Sequence, residues 1–262
     1  MVILNAVQHK FLHLAQFLSA FGNSFLPKEE NNSHLVLHWD IAKSALLSQK
    51  TNNTQLELSY KDIMLRIVQN DTIYELDLLG VNEAIIKNWI VENLEDFNLS
   101  PELYNTSTTY NLETPFDGFT SVDNEEEMAI YTAIEHRNIA QKCLEELALN
   151  TSQKASTIIV CPKTLHSKVT IDKSLDNSFS KYICCGYSPS NDICEVPYFF
   201  GYVVDNKRTV NYTTKVTLTV GTWQLTEDFK GIILPANFTD NITIKSVNSF
   251  YNEAIYALSK LL

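Results

Sequence analysis

Short segments rich in aromatic and β-branched residues come in two runs along this chain, and an amphipathic helix closes each run. In the first run, His34–Trp39, Leu56–Tyr60, Ile63–Val68 and Ile73–Leu78 suit a pleated, half-buried surface, with polar breaks at Lys61–Asp62 and Gln69–Asp71. That spacing predicts a meander of antiparallel strands. A helix over about 82–97 follows, with Ile85, Ile86, Trp89, Ile90, Leu94 and Phe97 on one face. The second run comprises Thr157–Cys161, His166–Ile171, Tyr182–Tyr187, Tyr198–Val204, Lys215–Val220 and Gly231–Leu234, and a helix over about 246–261 closes it. Strands segregated from helices in this way predict an α+β fold with mostly antiparallel sheets.

Two more segments complete a set of four principal packing helices. Val7, Phe11, Leu14, Leu18 and Phe21 recur at helical spacing over 6–21, with Gly22 placed to end the helix. Over 126–149, Ala129, Ala133, His136, Ala140, Cys143 and Leu147 line one face, and Glu125–Glu127 suit the positive end of the helix dipole. Residues 98–124 show neither period and contain Pro101, Pro115 and Gly118, as a connector or covering loop would. The division this suggests is 1–100, a linking segment 101–124, and 125–262, within one continuous domain or two.

Composition narrows the function classes. With 45% hydrophobic and 19% charged residues the chain reads as a soluble globular protein. A net charge of −11 opposes a nucleic-acid partner, which needs a basic stripe; Lys207–Arg208 is the densest basic spot. Only seven glycines are present. None forms a Gly-x-Gly-x-x-Gly run, a Walker-type loop or a Gly-x-Ser-x-Gly elbow, so nucleotide-dependent chemistry is disfavoured and no cofactor is expected. No apolar run approaches the ~20 residues of a membrane span. The N-terminal segment is interrupted by Gln8, His9, Lys10, His13 and Gln16, unlike a signal peptide. Five cysteines without a Cys-x-x-Cys pair read as reduced thiols, which predicts a cytoplasmic protein. Oligomeric state leaves no mark in the sequence.

Residues 179–203 crowd reactive groups most closely. The strands Tyr182–Tyr187 and Tyr198–Val204 flank a turn at Ser188–Asp192, which would bring Asp192, Cys194, Glu195 and Tyr198 to one sheet end. His166 stands at the mouth of another strand, where an acid–base group is reachable. His136 sits mid-face on the long helix, the place of a hydrogen-bonded core histidine, and Arg137 at its edge could fix a carboxylate. His9 and His13 have the spacing of a ligand pair, yet with no carboxylate beside them they read as solvated residues. His34 and His38 share one face of the first strand with Asp40 beyond, a metal candidate that lacks further ligands. Adjacent Cys184 and Cys185 point to opposite faces of their strand. Cys194 lies beside Glu195, whose charge disfavours a thiolate, so a Cys194–His166 enzyme is the weaker option.

Several segments resemble an uncharacterised bacterial family of similar length and unknown function. They are HLAQFLSAFGNSFL from His13, NNSHLVLHWD, EHRNIAQKCL, the stretch CCGYSPSNDICEVPYFFGYVV, and the tail from GIILP onward. The resemblance implies a full-length α+β fold. It also implies a His-Phe-Asp-Thr-Gly-like run between two strands, where this chain has KTLHSK at 163–168. Any activity carried by that turn would be lost here.

The expectation that follows is a protein binding a small molecule or a protein partner in a sheet-end cleft. Asp192, Glu195, Tyr198 and His166 would line it and Arg137 would support it. The alternative is a hydrolase using His166, Asp192 and Glu195. A third reading is an interaction protein with an exposed apolar patch around Tyr198–Tyr202.

Overall fold

The computed structural model describes the chain except residues 1, 107–109, 111, 113, 175, 177, 214 and 237–241. The fold is α+β, and the described residues form four α-helices and two mostly antiparallel sheets of five and six strands. None of the described helices is long and apolar enough to cross a membrane. The chain divides into two compact units, 2–135 with 160–165, and 136–159 with 166–262.

The first unit contains α1 (Val2–Phe25), β1 (His38–Asp40), β2 (Ala45–Leu47), β3 (Thr54–Ser59), β4 (Met64–Gln69), β5 (Thr72–Asp77) and α2 (Glu83–Asn93). Its strands pair in chain order as an antiparallel meander. Asn52, Asn53 and Asn70 take positive φ at the reversals, a conformation that asparagine tolerates better than most residues. The core lies where α1 meets the sheet. Phe11 stacks on Tyr60 with ring centroids 3.6 Å apart, and Trp39 meets Tyr60 edge-on. Leu56 and Leu58 of β3 are sealed in the same cluster.

The first strand is shorter than its sequence predicts. Ser33–Leu35 forms a 3-10 turn, and only His38–Asp40 enters the sheet. Helix α1 also runs past Gly22 to Phe25. A Cβ at Gly22 would lie 2.2 Å from the backbone oxygen of His34, so the glycine is there for a close approach and not as a helix stop.

The long helix α3 (Asn124–Asn150) gives its beginning to the first unit and the rest to the second. The second unit adds β6 (Ile159–Val160, divided between the units), β7 (Ser167–Asp172), β8 (Lys181–Ser188), β9 (Tyr198–Asp205), β10 (Thr222–Leu225), β11 (Lys230–Pro235) and α4 (Ile244–Ser259). The sheet order is β10-β11-β9-β8-β7-β6. Cys143 and Leu144 of α3, with Phe250, Tyr251, Ala254 and Leu258 of α4, share one buried cluster with Cys185, Tyr187, Phe199 and Ile232. Cys184 belongs to a second cluster with Tyr198, Phe200 and Ile233, so both adjacent cysteines are buried, on opposite faces. Thr243 and Ser246 form a reciprocal cap at the start of α4.

The segment 215–220, expected as a strand, is not one; β10 begins at Thr222 instead. Val216, Leu218 and Val220 pack half-buried on the helix-side cluster. The Glu253 carboxylate accepts from the backbone N–H groups of Thr219 and Val220, which replaces a strand partner.

Candidate functional site

Strands β8 and β9 form the long hairpin, in register from Lys181↔Asp205 to Ser188↔Tyr198. Asn191 fastens its turn. The Asn191 carbonyl accepts from Ile193 N–H at 2.9 Å, and its amide donates to Tyr198 Oη at 3.0 Å and Ser188 Oγ at 3.2 Å. Tyr198 is 2% exposed, and burial raises the pKa of its hydroxyl. Asp192 and Glu195 are exposed on the same turn. Ile193 and Cys194 pack against the Cys184, Tyr198 and Phe200 cluster, so the turn folds back over the sheet.

Of the other residues expected at this sheet end, Arg137 is buried and His166 is half-buried. Arg137 is 1% exposed, with its guanidinium 5.8 Å from the Tyr187 ring centroid. His136 is edge-on to the same ring, and burial alone pushes its pKa down to about 4. His166 is edge-on to Phe200, and burial together with the Lys168 and Arg137 cations pushes its pKa down to about 4. The charges that act on His166 are therefore cationic. Asp192 and Glu195 are exposed, whereas Tyr198 and Arg137 are buried.

The metal candidates fall on two different elements. His34 lies in the 3-10 turn, and its Nδ1 accepts from Glu29 N–H at 3.1 Å. His38 begins β1, with Nε2 3.2 Å from the Gln49 amide nitrogen. Asp40 accepts from Lys43 N–H. Because His34 is outside the strand, the expected shared face does not form. Among the described residues no group of three His, Cys, Asp or Glu side chains could hold an ion.

The first unit carries a cleft of about 280 Å³ that the sequence did not announce. His13, Gln16 and Phe17 of α1 form one wall, because residues three and four apart share a helix face. Tyr110, Thr114 and Phe116 close it from the opposite side, with Glu83 of α2 at the rim. Phe116 stands nearly perpendicular to both His13 and Phe17.

Three hydrogen-bonding groups set the chemistry of this cleft. Thr114 Oγ1 lies 2.9 Å from His9 Nε2 and 3.2 Å from His13 Nε2. A hydroxyl has one proton to give and two lone pairs, so at most one imidazole accepts from it and at least one donates its own N–H. His13 is only 6% exposed, not solvated as its helix position suggests. Burial, then the neighbouring His9, lower the pKa of His13, while Asp117 opposes them. The Gln16 amide donates to Pro162 O at 2.7 Å and Leu12 O at 3.0 Å. Both acceptors are carbonyls, which fixes the amide orientation and leaves Gln16 Oε1 buried with no hydrogen-bond partner among the described residues.

A second cleft, of about 260 Å³, lies in the second unit among Glu146, Asn150, Asn248 and Tyr251. Two of its polar groups are already engaged: Asn248 donates to Glu146, and the Tyr251 hydroxyl donates to the backbone oxygen of Gly186. No protein-family model matches the chain, and no curated protein or solved structure matches it.

Proposed function

We propose that this protein binds a small molecule in the α1 cleft of its first unit. One observation carries the reading: a concavity near the lower end of ligand-pocket sizes combines aromatic walls with a few convergent polar groups. His13 contributes a neutral imidazole at physiological pH, because burial holds its pKa below 6.5. The acidic balance of the chain and its lack of a basic cluster argue against nucleic acid. A cytoplasmic setting fits five cysteines without a redox-type spacing. A thermal-shift screen of fragments tests the proposal: hits should stabilise the wild type and lose their effect in Phe116→Ala.

A hydrolytic reading has one observation in its favour, the Thr114 hydroxyl held between two imidazole nitrogens. Incubation with an activated ester and intact-mass measurement tests it. Absence of an adduct at Thr114 removes this reading.

A further inference from the structure

We propose that the ligand of the α1 cleft presents a primary ammonium group on a short aromatic or alkyl body. This inference rests on the binding reading above and adds the chemical class.

The polar wall of the cleft calls for donors. Both Gln16 N–H groups are used on backbone carbonyls, so only its oxygen remains to be satisfied. That oxygen is sealed below the cleft surface, so Gln16 offers a ligand in the cleft no free N–H donor. Glu83 is the charged side chain among the described lining residues, and its carboxylate can only accept. Neither lysine nor arginine lines the cleft among the described residues. An anionic ligand would therefore meet Glu83 with no compensating cation, and a ligand offering only acceptors would find no free donor at Gln16. Thr114 Oγ1 is engaged by both imidazole nitrogens, so it adds little preference.

Shape and field agree with an ammonium. Phe17, Phe116 and Tyr110 supply ring surface for the ligand body, and aromatic faces attract cations. A net charge of −11 raises the local concentration of cations around the whole chain. A volume of about 280 Å³ limits the ligand to a small molecule.

Isothermal titration with 2-phenylethylammonium, the isosteric neutral 2-phenylethanol and the anionic 3-phenylpropanoate tests the class. The ammonium should bind at least tenfold more tightly than the alcohol, and the carboxylate should not bind. Glu83→Gln, an exposed change, should weaken the ammonium severalfold and leave the alcohol unaffected. Equal or tighter binding of the alcohol overturns the ammonium assignment and leaves the cleft reading in place. Absence of binding by all three compounds, with no resonance of cleft residues shifted in NMR spectra, overturns both.

Discussion

The backbone oxygen of His34 sits 2.2 Å from where a side chain on Gly22 would begin. The turn Ser33–Leu35 thus packs directly on the backbone of α1. Helix propensity alone would make Gly22→Ala stabilising by about 1 kcal/mol. Overlap with a backbone atom, which cannot rotate away, predicts the opposite sign. The variant should lose about 2–3 kcal/mol, as overpacked sites do, in a urea melt. A more stable Gly22→Ala protein would contradict this packing.

The hairpin turn depends on Asn191 and not on Asp192. Asn191→Ala removes both bonds to the buried Tyr198 hydroxyl and should cost about 1–2 kcal/mol. Exposed Asp192→Asn should change stability by less than about 0.5 kcal/mol. Thermal melts of the two single variants, compared side by side, check the contrast.

A buried histidine, His136, and a half-buried one, His166, make the second unit sensitive to acid. His136 and His166 have pKa values lowered from 6.5 to about 4, so the folded state favours neutral imidazoles. The unfolded chain takes up a proton near pH 6.5, whereas the folded one resists until about pH 4. The stability that each contributes is fully present above pH 6.5 and lost progressively as pH falls to 4, on the order of 3 kcal/mol per residue. His136→Gln and His166→Gln should each flatten the pH dependence of unfolding free energy in that window by up to about 1.4 kcal/mol per pH unit. Unchanged slopes would show that neither imidazole is held neutral.

His13 sets a second pH effect, on binding. Its pKa is lowered by burial, then by His9, with Asp117 opposing, and Glu83 shares its cleft. Protonation therefore places a cation in the cleft only in acid. Affinity for an ammonium ligand should hold at neutral pH and fall as pH drops below 6.5, whereas affinity for a neutral ligand should change less. Titrations at pH 7.5 and 5 read the difference.

Sequence revealed the strands with a clear period and missed those without one. Leu56–Tyr60, Ile63–Val68 and Ile73–Leu78 alternate between polar breaks, and β3 to β5 occupy those positions. Strand β2 has three residues, too few to display a period, and β1 keeps only the end of the predicted His34–Trp39. Val216, Leu218 and Val220 alternate like a strand because alternate residues face the core, yet Glu253 takes their neighbours' N–H groups. The cleft was hidden for a related reason. His13 lies on the polar side of α1, and its cover comes from the aperiodic segment holding Tyr110, Thr114 and Phe116. At the hairpin, Asn191 and Asp192 are equivalent as turn formers in sequence, and only the geometry shows which one bonds to Tyr198.

The side-chain amide of Gln16 gives the most direct view of the central claim, occupancy of the α1 cleft. In ¹⁵N-labelled protein its two N–H signals should be slowed in exchange with water, since both bond to carbonyls. Titration with 2-phenylethylammonium should shift those signals together with the backbone signals of His13 and Phe116, saturating at one equivalent per chain. Saturable shifts confined to other surfaces, with the Gln16 amide unmoved, would contradict the account.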